Sequence, residues 1–280
     1  MLERNHFYNM DSIEGMKQIP DKYIDLILCD LPYGVTARNR WDCPINPDQL
    51  WEQYRRIIKD TGAIVLFGSG MFTAKMMQAG EDMYRYSLIW EKTEPTGFYN
   101  AGRMPLRSHE DIMVFYRKQP AYHPQKTTGH KRKTATARQK QSCERSLCYG
   151  TVQKLKDYDS TERFPTSVLK FKTDKQRCNL HPTQKPVALL RWIIRTYTDE
   201  GDLVLDNACG SGSTCEAAKE EGRDFIGIDN GICEKERSQY KGMPWVEIAE
   251  KRIAGEIDSE RIRKSAVNKK IGGRYENRKQ

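Results

Sequence analysis

Two short stretches combine residue types that can do chemistry together. Leu203-Val204-Leu205-Asp206-Asn207-Ala208-Cys209-Gly210-Ser211-Gly212-Ser213-Thr214 reads as a strand, a glycine-rich turn and the start of a helix. Glycines at such a turn let the backbone approach a ligand closely, and a helix N-terminus favours an anionic group. Fifteen residues past Thr214, Asp229 closes the next strand pattern, Phe225 to Ile228. An acid at the end of the second strand of such a unit is placed to accept hydrogen bonds from ribose hydroxyls. A lone Gly-x-Gly marks many ordinary turns; the ordered series of strand, turn, helix, strand and acid is far more specific. The segment has no Gly-Lys-Ser/Thr, so it does not read as a P-loop.

The second stretch is Asp30-Leu31-Pro32-Tyr33-Gly34, which follows the apolar run Ile24 to Cys29. Pro32 fixes its own φ and pushes Leu31 toward an extended conformation, so the loop is stiff. It offers one carboxylate, one backbone carbonyl and one aromatic ring together. That set suits a planar base with an exocyclic amino group: the oxygens accept its N–H bonds and the ring stacks on its face. Taken alone, the pentapeptide also reads as a tight turn with a capping Asp and a packed Tyr.

These stretches need a scaffold, and the chain supplies an alternation of strand and helix signals. Ile24 to Cys29 and Ala63 to Phe67 read as buried strands, with Tyr86 to Trp90 and Asp111 to Tyr116 as further strands. Pro47 to Lys59 reads as a helix, with Leu50, Tyr54, Ile57 and Ile58 on one face and Thr61-Gly62 as its stop. Pro186 to Tyr197 is a helix with Pro at its start, and Trp245 to Ile253 is an amphipathic helix. Strands separated by helices predict a parallel sheet covered on both faces. The middle breaks the rhythm: Lys126 to Arg145 carries seven Lys/Arg and one acid, Glu144. It reads equally as a basic linker and as a surface that touches phosphates. Lys264 to Gln280 is polar and basic and is expected to fray.

Composition bounds the function classes. The chain has 280 residues and a formal net charge of +9, which favours a polyanionic partner or an anionic surface. No stretch approaches the roughly 20 apolar residues of a membrane-spanning helix. Met1 to His6 is polar and gives no signal-peptide core. The expectation is a cytoplasmic protein without a membrane partner. Eight cysteines in a chain of this length do not make a disulfide framework. Cys143, Cys148 and Cys178 are separated by four and then twenty-nine residues, without the paired spacing of structural zinc sites. No metal is expected.

Together the motifs make the chain resemble the amino-group DNA methyltransferases of the β arrangement, in which the catalytic block precedes the cofactor block. Those enzymes carry Asp/Ser-Pro-Pro-Tyr, a target-recognition region, His-Pro-Thr-x-Lys-Pro, and then Asp-Pro-Phe-x-Gly-Ser-Gly. Here the corresponding segments are Asp30-Leu31-Pro32-Tyr33, His181-Pro182-Thr183-Gln184-Lys185-Pro186 and Asp206-Asn207-Ala208-Cys209-Gly210-Ser211-Gly212. The resemblance runs from about Asn5 to Ile228, with the middle least matched. Three departures stand out. Leu31 replaces a proline whose needed group is its carbonyl, while Asn207 and Ala208 replace Pro and Phe, with an expected loss of packing against the cofactor.

The resemblance implies an α/β fold, a circularly permuted Rossmann-like sheet that binds S-adenosylmethionine, with an inserted target-recognition region. The implied division is a catalytic half over residues 1–117, the insert over 118–179, the cofactor half over 180–258 and a basic tail over 259–280. Cofactor contacts are expected from Asp11, Asp30, Thr183, Lys185, Asp206, Asn207, Cys209, Gly210, Ser211, Gly212 and Asp229. Asp11 reads as well as an N-cap for a helix through Met16. Catalysis is expected from Asp30, Leu31, Pro32 and Tyr33, and DNA contacts from Arg103, Arg107, Lys131, Arg132 and Lys133.

The implied reaction is methyl transfer to adenine N6 in double-stranded DNA after base flipping. Within this family Asp at the first motif position usually goes with adenine and Ser with cytosine, so cytosine N4 is the second candidate target. The motifs are also compatible with an enzyme acting on RNA or on a protein amide, and with a DNA-binding subunit without catalysis. Relatives of this kind are often dimers, so a homodimer is expected, and restriction–modification is one of the roles such enzymes fill.

Overall fold

The computed structural model describes residues 1–34, 45–137, 157–174, 180–181, 183–234 and 238–257. Cys143, Cys148 and Cys178, Pro182 and the tail beyond residue 257 lie outside the described residues. The described parts form two compact units: Met1–His123 with Ser167 onward, and Pro124–Thr166.

The larger unit is built on an eight-stranded sheet. Its strands are β1 (His6–Tyr8), β2 (Ile24–Cys29), β3 (Ile58–Gly68), β4 (Tyr84–Thr96), β5 (Arg107–Phe115), β8 (Val168–Phe171), β9 (Leu203–Asp206) and β10 (Asp224–Ile228). Their order is β1-β10-β9-β2-β3-β5-β4-β8. β1, β10, β9, β2 and β3 run parallel, and only β5 is antiparallel to its neighbours. The smaller unit holds the antiparallel pair β6 (Lys133–Ala135) and β7 (Tyr158–Ser160).

Both faces of the sheet are covered, because successive strand residues point to opposite sides. Ile27 and Cys29 of β2 and Leu203 and Leu205 of β9 belong to one core, with Met16, Trp51, Tyr54 and Phe72. These come from α1 (Ser12–Lys17), α2 (Pro47–Ile57) and α3 (Met71–Ala79). Leu26, Leu28 and Val204 face the other core, with Leu190, Ile194, Ala217 and Val246. Those lie on α4 (Val187–Tyr197), α5 (Ser213–Glu220) and α6 (Trp245–Ile253). No helix among the described residues is long and apolar enough to cross a membrane.

Two sequence expectations change. The helix from Pro47 stops at Ile57, Ile58 is already extended, and Thr61-Gly62 lie inside β3 rather than ending a helix. A Cβ on Gly62 would stand 2.8 Å from the Asp25 carbonyl oxygen. The glycine thus permits close strand approach beside the register shift between Ile24 and Leu26. Likewise, the parallel pairing expected of the sheet does not hold at β4 and β5, which pair antiparallel through a segment whose helical part is a single 3-10 turn at Phe98–Asn100. Gly97, Gly102 and Pro105 break any helical pattern there.

Candidate active site

The glycine turn and the Asp30 loop meet because β9 and β2 are parallel neighbours. Leu26 pairs with Val204 and Ile27 with Leu205. Asp206 and Asp30 therefore leave the same carboxyl edge of the sheet side by side, where open α/β sheets hold ligands. β10 and β1 bring Asp229 and Asp11 to the same edge, and the Asp229 N–H donates to the Tyr8 carbonyl at 3.1 Å.

Asp30 is the centre of a buried charge network. Tyr33 donates its hydroxyl to Asp30 Oδ1 at 2.8 Å, and Lys185 Nζ lies 2.5 Å from Asp30 Oδ2. Lys185 also lies 3.1 Å from Glu110 Oε2, and Lys92 Nζ lies 2.5 Å from Glu110 Oε1. Lys185 and Lys92 are buried. Burial lifts the Asp30 carboxyl above its ordinary range, against the pull of Lys185. Burial works to discharge Lys185, but Asp30 and Glu110 outweigh it and hold its ammonium above the usual value. Burial also resists ionisation of Glu110, yet Lys185 and Lys92 keep its carboxyl below the usual range. Glu110 and Lys92 carry no motif signal. They reach the site through β5 and β4, where Trp90 pairs with Glu110.

Leu31 is buried in the core, and the Tyr33 ring packs at 4.7 Å on Phe72 of α3. Pro32 follows Leu31 in a trans chain, since the described backbone has no cis peptide bond.

The glycine turn is set by backbone geometry. Gly210 and Gly212 have φ of +48° and +76°, where an L side chain is strained. A Cβ at Gly212 would meet Ala249 Cβ at 2.7 Å, whereas at Gly210 the nearest atoms are in His181 at 3.9 Å. Gly212 is thus required by packing, and Gly210 leaves an open face. Asp229 accepts from the N–H groups of Gly210 at 2.8 Å and Gly231 at 2.7 Å, and burial raises its carboxyl. Asp206 is buried and accepts from the Ala208 N–H at 3.1 Å; burial pushes its carboxyl up to about 6.

The remaining candidates divide. Asn207 is 1% exposed, accepts from the Tyr54 hydroxyl at 2.7 Å and donates to Ser12 Oγ at 2.7 Å. Cys209 is a buried free thiol, and Ser211 donates to Gln184 Oε1 at 3.4 Å. Thr183 is exposed, with its hydroxyl 3.0 Å from His181 Nδ1. Asp11 caps α1, accepting from the N–H groups of Ile13 at 2.9 Å and Glu14 at 3.1 Å. Two donors missed by sequence reading, Gln184 Nε2 and Trp245 Nε1, are buried without a hydrogen-bond partner. They flank the open face through Ser211 and through His181, whose ring lies edge-on to Trp245 at 4.6 Å.

The five basic candidates do not share one environment. Arg103 is exposed on the β4–β5 connection and Arg107 is exposed at the first position of β5. Lys131, Arg132 and Lys133 lie in the smaller unit, where Arg132 makes a two-pronged ion pair with Asp159 at 2.7 and 2.5 Å. No metal-ligating cluster of three or more His, Cys, Asp or Glu occurs among the described residues.

Comparison with known proteins gives a consistent result. A DNA methylase family profile matches residues 24–239. The Type II methyltransferase M.HinfI of Haemophilus influenzae is 28% identical over 270 aligned residues, which take in 87% of this chain. The match spans 66% of that enzyme's length, just under two thirds. The crystal structure of an M1.HpyAVI–SAM complex shares the fold, with a TM-score of 0.55 and 22% identity over 88% of this chain and 98% of that one. So does the cytosine-N4-specific PvuII DNA methyltransferase, with a TM-score of 0.56 and 14% identity over 89% and 92%. With a family match across most of its length and all three motif segments at one sheet edge, this chain belongs to the DNA methylase family of amino-group methyltransferases.

Proposed function

We propose that the chain is a site-specific methyltransferase that uses S-adenosylmethionine to methylate adenine N6 in double-stranded DNA. The observation that carries this reading is the parallel pairing of β2 with β9, which sets the Asp30 loop beside the glycine turn. The choice of adenine rests on Asp rather than Ser at position 30, a family tendency; the fold is shared with a cytosine-N4 enzyme and does not discriminate.

The residues present suit the cofactor. The open face at Gly210 is the cradle, and the buried Gln184 Nε2 offers an unused donor for a carboxylate beside it. Asp229, held by two backbone N–H groups, presents an acceptor for ribose hydroxyls. Thr183, Lys185, Cys209, Ser211 and Gly212 would line the methionine end, with Asp206 and Asn207 fixing the turn and Asp11 near the adenine. Bound there, S-adenosylmethionine supplies a methyl group on a cationic sulfur that an amine can attack without further activation.

The chain's own task is to present the amine. The target base leaves the duplex, because its amino nitrogen is otherwise paired and stacked. Asp30 and the Leu31 carbonyl accept the two amino hydrogens, which aims the nitrogen lone pair outward. The Asp30 carboxylate and the Leu31 carbonyl dipole stabilise the positive charge that grows on nitrogen, the converse of an oxyanion hole, and the proton released on methylation leaves the nitrogen by way of Asp30 to solvent. Pro32 holds these acceptors rigid, and the Tyr33 ring supports the base face. The ion pair with Lys185 holds Asp30 in position, and alignment accounts for much of the remaining acceleration.

Expression in a bacterium lacking DNA methylation, followed by sequencing that detects modified bases, tests the reading. N6-methyladenine at one sequence supports it, and N4-methylcytosine assigns the same site to cytosine instead. Unmodified DNA, together with no methyl transfer by the purified chain, overturns it. The same reading predicts a homodimer acting in the cytoplasm as one half of a restriction–modification pair.

A further inference from the structure

We propose that the tip of the β4–β5 hairpin is a wedge whose aromatic side chains, Phe98 and Tyr99, enter the duplex and occupy the place of the flipped base. Phe98 is 77% and Tyr99 106% exposed, and Met104 nearby is 58% exposed. Large apolar side chains grouped at one loop tip mark an interaction site rather than ordinary surface. The tip is also shaped for presentation: Gly97 sits at φ +92°, and the 3-10 turn Phe98–Asn100 follows it.

Register fixes where this tip lies. Cys29 pairs with Leu66, so Asp30 is level with Phe67, which pairs with Ile112 of β5. Arg107, where β5 begins, is five residues earlier in a strand antiparallel to β3. At a strand rise of roughly 3.3 Å per residue, the hairpin overhangs the level of Asp30 by about 16 Å. It rises from the same carboxyl edge as the catalytic loop, two strands away from β2. A duplex delivering a base to Asp30 must pass this projection.

Charge selects the partner. From Gly97 to Ser108 the tip carries Arg103 and Arg107 and no acid, so aromatic rings stand among cations. Cations for phosphates beside rings for bases are the combination that binds unstacked nucleic acid, and apolar side chains inserted between base steps partially unstack and kink a duplex. A protein partner would not demand that the patch rise beside the methylation site.

The proposal rests on the DNA-methyltransferase reading, and the test separates the two. With the recognition sequence identified, methyl transfer is measured for the wild-type chain and for Phe98→Ala/Tyr99→Ala on two synthetic duplexes. One has the target normally paired; the other has an abasic site opposite the target, so that little unpairing is needed. The variant is expected to lose activity on the paired duplex on the order of tenfold or more. It should return to near wild-type rates on the abasic duplex, and Phe98→Trp/Tyr99→Trp should retain activity on both. Unchanged activity on the paired duplex, or an equal loss on both, overturns the wedge while leaving the methyltransferase reading intact. A wild-type chain inactive on both duplexes overturns the underlying reading and the wedge with it.

Discussion

Lys185 Nζ lies 2.5 Å from Asp30 Oδ2, although the two residues stand 155 positions apart in the chain. The same ammonium reaches Glu110, so one buried cation is shared by two carboxylates, one in the loop after β2 and one on β5. Taking charges out of water costs several kcal/mol per ion unless they are paired and hydrogen-bonded. The network answers that cost by alternating sign from Asp30 to Lys185 to Glu110 to Lys92.

Asp30→Ala should therefore abolish methyl transfer while leaving cofactor binding near wild type. A loss of about a hundredfold or more is the scale for deleting a charge-stabilising group. Tritium transfer and calorimetry with S-adenosylmethionine measure the two halves. An active variant would remove Asp30 from the mechanism.

Lys185→Met and Glu110→Gln should shift the acid limb of the pH–rate profile in opposite directions. Lys185 lowers the Asp30 carboxyl and Glu110 raises it. Losing the lysine moves the limb to higher pH, and neutralising the glutamate moves it lower. Shifts in the same direction would separate Asp30 from the titration that governs rate. Lys185→Met should also cost about 3–5 kcal/mol of stability, because it strands buried carboxylates.

Asp206 predicts a pH-dependent stability. Its folded carboxyl sits at about 6 against an ordinary 3.8. The folded state therefore holds the proton where the unfolded state has released it. Stability from this group is complete below about pH 4 and is lost as pH rises through about 6. The gap between the two values corresponds to about 3 kcal/mol. Denaturant melts of Asp206→Asn should lack this decline, and parallel curves for wild type and variant would refute it.

Gly212→Ala and Gly210→Ala should separate folding from binding. At Gly212 the added methyl meets Ala249 and the backbone is left-handed, so a loss of about 1–3 kcal/mol should appear in thermal melts. At Gly210 the methyl meets only His181 at 3.9 Å and stands on the open face. That variant should lose cofactor affinity with only the cost of the strained φ. A large melting shift with normal affinity at Gly210 would contradict the cradle.

Salt dependence of DNA binding should identify which basic residues touch phosphates. Arg103→Ala and Arg107→Ala should each reduce the slope of log K against log salt by about 1. Arg132→Ala should leave it unchanged, because its guanidinium is already engaged by Asp159. The reverse ranking would move the phosphate contacts to the smaller unit.

Much of this protein was legible locally. Strand-to-turn-to-helix patterning located β9, the glycine turn and α5, and the apolar run Ile24 to Cys29 located β2. The start of α2 and the whole of α6 follow from helical periodicity and turn chemistry, which act over a few residues. Where the period changes without a linker, as at Ile57–Ile58, sequence reading carried the helix too far. No local pattern showed that the Asn207 amide ties the turn to Tyr54 and Ser12, both distant in the chain.

The amino-acid sequence by itself determined which chemical groups exist, their motif order and most element identities, because periodicity and backbone restriction are local properties. Tertiary structure alone decided that β2 lies beside β9, that Glu110 and Lys92 complete the charge network, and that the Phe98–Tyr99 tip overhangs the carboxyl edge of the sheet. Strand neighbours are chosen by burying both faces of one sheet at once, a condition on residues far apart in the chain that no short stretch encodes.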